Sequence, residues 1–168
     1  MYAEHKSTMK TYRQGAVGAL LDLYEHAISQ LKRIIEDIPD HSLHAIINTQ
    51  TTDENCKSIQ AILTHVVSAG YGYATSIHNL KGNNVTRPAK IFHSTIQEYT
   101  NDLAAVFTYT ETVFRSITDN ELEQPDEALK MKTSWGQVYD IEQLTEHAIV
   151  HILRHTRQIE RIKQHGLQ

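Results

Sequence analysis

The chain has 168 residues, 40% hydrophobic and 21% charged, with a formal net charge of −4. This suits one globular domain with a full core and gives no electrostatic case for nucleic acid. The lone Cys56 excludes an internal disulfide, the first ten residues lack an apolar signal-peptide stretch, and no segment is long enough for a membrane span, so a cytoplasmic protein is expected.

With 3 Pro and 7 Gly, the chain has few helix breakers. A first helix is predicted from about Tyr12 to Asp37, with Leu20, Leu23, Ala27, Leu31, Ile34 and Ile38 on its apolar face and Pro39 as its stop. The segment from His41 to Cys56 is polar and carries no clear period. A second helix is predicted from Ser58, its N-cap, with Ile59, Ile62, Leu63, Val66, Ala69, Tyr73 and Ile77 inward. It ends at the turn residues from Lys81 to Asn84. Ser94 and Gln97 form a capping-box pattern for a third helix, whose stripe is Tyr99, Leu103, Val106, Thr110, Val113 and Ile117.

Thr118 to Tyr139, with Pro125, Trp135 and Gly136, reads as a long connection holding at most a short extended or helical piece. A connection of that length is often functional. Asp140 and Gln143 repeat the capping pattern for a fourth helix. Strand-like alternation is nowhere sustained, so the fold is predicted to be all-α, a four-helix bundle. Residues 1–168 are expected to form a single domain, with 1–11 as a flexible tail.

Histidine is abundant, at 11 residues, and two stand out. The inward stripe of the fourth helix runs Ile141, Leu144, Ala148, His151, His155, Ile159, Ile162, which puts two imidazoles where aliphatic side chains belong. Side chains four apart are neighbours on a helix, and buried polar rings need a partner. His65 lies at the inner edge of the second helix, one turn from Ala61 and Ala69, which leave room around its ring. His65, His151 and His155 thus suit a three-ligand metal site with an open position; a hydrogen-bonded polar network with Tyr or Glu is the alternative. His147 falls off the core direction, as a supporting or solvent-facing residue. His26 lies on a helix flank, while His5, His41, His44, His78, His93 and His165 suit solvated or capping roles.

Other motifs are absent. His147 and His151 lack the glutamate of a zincin helix, and no Glu-x-x-His pair supports a di-iron bundle. Cys56 precedes a helix N-terminus that can activate a thiol, but reads better as an ordinary loop thiol. Glu111, Glu142, Glu146 and Tyr109 are candidate proton-transfer groups, none of them singled out by its surroundings.

The stretches Ser58-Ile-Gln-Ala-Ile-Leu-Thr-His65 and His147-Ala-Ile-Val-His151-Ile-Leu-Arg-His155-Thr-Arg-Gln158 make nearly the whole chain resemble the DinB-like superfamily, which includes YfiT-type proteins. The family's last helix carries His-x-x-x-His followed by Arg-Gly-Gln; here Gln158 keeps its spacing, while Arg157 stands in the glycine's place. The resemblance implies a bundle with a long crossover connection, a nickel or zinc ion on His65, His151 and His155, and a homodimer. It also implies thiol-dependent transfer, in which a low-molecular-weight thiol such as bacillithiol is bound as thiolate and presented to a small-molecule electrophile. Two alternatives stay open: a hydrolase using a metal-bound water, and a non-catalytic metal-binding or dimerisation bundle. No nucleic-acid or membrane partner is expected.

Overall fold

The structure is a computed structural model that describes residues 11–47 and 51–164. Most of the expected N-terminal tail, with His5, lies outside the described residues, as does His165. Four helices carry the fold: α1 (Gly15–Ile35), α2 (Ile59–Leu80), α3 (Ile96–Phe114) and α4 (Ile141–Gln164). Each packs chiefly on two others, giving the ring α1, α4, α2, α3. The chain therefore crosses the bundle between α1 and α2 and again between α3 and α4. This is an all-α four-helix bundle with long crossover connections.

Leu31, Ile62, Leu103 and Ile159, one from each helix, are completely buried at its centre. Burying such a side chain contributes about 1.5–3 kcal/mol. Gly70 lets α2 and α3 approach, because a Cβ there would sit 2.6 Å from Val106 Cγ1.

The α1 core face keeps the expected Leu20, Ala27 and Leu31 but is wider than expected and leaves one residue out. Leu23 is 57% exposed, whereas Leu21, Tyr24, Ile28 and Ile35 are buried. The helix also starts later than Tyr12. Its first turn has no local side-chain cap; instead Asp119, in the α3–α4 connection, accepts from Val17 N at 2.9 Å. Gly15, at φ 77°, makes room for that carboxylate, since a Cβ would lie 2.3 Å from its oxygen. Just before α1, Arg13 donates to Asp22, Glu25 and Glu111, tying the N-terminal strand of chain to α1 and α3. These partners, Glu25 first, push the guanidinium pKa upward against its own desolvation.

The other starts follow local chemistry. Ser58 accepts from Ala61 N as the α2 cap. The α3 cap is Thr95 rather than Ser94, with Glu98 completing the capping box. Asp140 and Gln143 cap α4 reciprocally, Gln143 N donating to Asp140 at 2.8 Å and Asp140 N to Gln143 at 3.1 Å. The α3–α4 connection holds two 3-10 turns, Asp119–Glu121 and Glu127–Leu129, and a small antiparallel hairpin, β1 (Met131–Lys132) with β2 (Val138–Tyr139). The polar α1–α2 connection contains 3-10 turns at Asp40–Ser42 and Glu54–Cys56.

Candidate metal centre

α2 and α4 pack side by side, and their facing surfaces bring His65 against His151 and His155. The ring of His65 lies 4.8 Å from that of His151 and 5.2 Å from that of His155, centre to centre. His65 Nε2 and His151 Nε2 are 2.9 Å apart. One nitrogen from each of the three rings lies within 4.8 Å of the others, so the group can hold a metal ion. Three imidazoles on a tetrahedral ion would have nitrogens roughly 3.3 Å apart, which brackets the site between its closest pair and its outer span.

The protonation state fits as well. Burial, then the neighbouring imidazoles and cations, pulls His65 down to about 4 and His151 to about 3. Burial also lowers His155. All three rings are therefore neutral at neutral pH, as metal ligation requires. His155 Nδ1 lies 2.9 Å from the amide oxygen of Gln158, one turn on. An acceptor there puts the proton on Nδ1 and leaves the other nitrogen's lone pair free, the orienting contact common to histidine ligands.

His65 also lines a cleft of about 550 Å³ between α2 and the β1–β2 hairpin, so the triad borders that cleft through one of its three rings. Tyr73 and Trp135 also line it. The Tyr73 ring stands edge-on to His151 at 5.8 Å, and burial pushes its phenol up to about 12.

A model of the DinB family matches residues 9–167 of this sequence. The chain belongs to the DinB family. No curated protein matches it. The DinB chain's departure from the family motif falls away from the cleft: Arg157 is exposed and lines a separate surface hollow with Gln30 and Arg33.

Other candidate residues take different places. His147 is half-buried rather than solvent-facing: Trp135 stacks on it at 5.1 Å, and it lies 6.3 Å from the His151 ring. His93 is neither solvated nor a cap; its Nε2 lies 2.6 Å from Asp102 Oδ2. Cys56 donates to Asp53, and burial pushes its thiol pKa upward, as befits a resting thiol rather than an activated one. Glu111, Glu142, Glu146 and Tyr109 do not line the cleft. Sequence reasoning missed the roles of Tyr73 and Trp135: the first reads as an ordinary core position of α2, and the second sits in a connection without a period.

Proposed function

We propose that this DinB-family protein is a metal-dependent enzyme that joins a low-molecular-weight thiol to a small electrophile, with a nickel or zinc ion held by His65, His151 and His155. The observation that carries this reading is the convergence of three neutral imidazoles, one of which, His65, lines an open cleft. With neutral ligands a divalent ion keeps its full charge and supplies the Lewis acidity that deprotonates a bound thiol at neutral pH.

The chain's own residues do the remaining work. Gln158 fixes the orientation and tautomer of His155. The stacked pair of Trp135 and His147, with Tyr73 edge-on, flanks the triad on its His151 side. The Tyr73 ring, edge-on to His151 at 5.8 Å, borders the triad on the α2 side. In the transfer a sulfur–carbon bond forms as the electrophile's leaving group departs, and the thiol proton passes to solvent. The proposal places the protein in the cytoplasm as a homodimer acting on small molecules, without nucleic acid or membrane; the dimer rests on family resemblance.

The test is elemental analysis of untagged protein purified without chelator, followed by turnover of a chloro-aromatic with and without bacillithiol. About one ion per chain is expected, lost in His65→Ala and His151→Ala and retained in His147→Ala. Turnover should require the thiol. No metal after reconstitution with divalent ions sinks the proposal, while thiol-independent ester hydrolysis transfers it to hydrolase chemistry.

A further inference from the structure

The cleft beside the triad has a charge pattern opposite to that of the whole chain. The chain is net negative, at −4, yet Arg87, Lys90 and Lys132 line the cleft and no acidic residue does among the described residues. None of the three forms an ion pair with a described carboxylate. Lys90 Nζ donates only to the neutral Asn55 amide oxygen, at 3.0 Å. Arg87 lies over the open backbone of Gly72, its guanidinium 3.1 Å from where a Cβ would be. Two hydroxyls of the cleft lining, on Ser68 and Thr75, are buried and have no hydrogen-bond partner in the described structure. The body of the cleft is apolar and aromatic, with Tyr73, Met131, Trp135 and Leu144.

We propose that this cleft is a binding site for an organic anion, a carboxylate or phosphate monoester, whose charge is held by Arg87 and Lys132, with Lys90 adding positive charge nearer His65. Its apolar body lies against Tyr73 and Trp135, and its other end points along α2 toward His65. His65 and Gly72 are seven positions apart on α2, so the charge contact lies about 10 Å along the helix from the triad. Unpaired cations over low-dielectric walls concentrate anions. The inference deepens the proposed function by naming its substrate class, and it rests on that reading for which end of the ligand reacts.

Binding can be measured apart from metal and turnover. The probes are 4-phenylbutyrate, phenylpropyl phosphate and the neutral 4-phenylbutyramide, titrated calorimetrically into metal-free and metal-loaded full-length protein. Emission from Trp135, the single tryptophan, reports where they bind. At least one anion should bind metal-free protein and perturb Trp135, with the amide at least ~10-fold weaker. Whichever anion binds more tightly distinguishes the two sources. Arg87→Gln and Lys132→Gln should each weaken it several-fold, with metal content unchanged. Equal affinity for the amide, indifference to both variants, or binding only to the metal-loaded protein overturns the assignment. A chain that takes up no metal but binds anions as described would defeat the enzyme reading and leave this one standing.

Discussion

The Gln158 amide oxygen determines which nitrogen of His155 carries its proton. Replacing it should leave the helix intact, because Gln158 is only half-buried, while freeing the ring to rotate. Gln158→Ala is expected to weaken metal binding by ~10–100-fold, measured by competition with a chelating dye, and Gln158→Glu to restore part of it. Unchanged affinity in the alanine variant would remove the orienting role. The convergence of the three histidines was legible because His151 and His155 interrupt an apolar stripe at helical spacing and His65 lies at the inner edge of another, between small residues. His93 was not: its partner Asp102 lies nine residues on, inside α3, while His93 precedes the helix, so no local period connects them.

At the scale of the helices, starts capped by sequence neighbours are those that patterning locates. Asp140 lies three residues before Gln143, and the two exchange hydrogen bonds as expected. The α3 start shifts by one residue because two overlapping patterns compete. Glu98 wins over Gln97, since its carboxylate oxygen accepts from Ser94 N, Thr95 N and the Thr95 hydroxyl together, and charged acceptors bind more strongly. The α1 face was misjudged at Leu23 alone, because a three-and-four spacing through Leu23 fits as well as one through Tyr24; packing of Tyr24 against Phe107 on α3 separates them. Asp140→Ala should cost about 1–2 kcal/mol of unfolding free energy, read from urea denaturation. Metal stoichiometry should survive, since the histidines lie several turns further along α4. Stability equal to wild type would show that Gln143 and water suffice as the cap.

For the molecule as a whole, the buried histidines set the response to acid. Burial holds His65 near about 4 and His151 near about 3 in the folded chain, whereas an unfolded imidazole takes up its proton near ~6.5. Below that range the unfolded state binds more protons, so acid favours unfolding. Metal-free protein should therefore be most stable above about pH 6.5, and its urea midpoint should fall as pH drops toward the folded values. His151→Leu should flatten that slope. A midpoint that stays level or rises on acidification would contradict the neutral, buried state of the rings. The whole-molecule scale also holds a constraint on length. Surface connections ordinarily accept inserted residues at little cost, but Asp119 must reach Val17 across 102 positions of chain. An inserted residue between the end of α3 and Asp119 would therefore be felt at the opposite end of the sequence, in the first turn of α1.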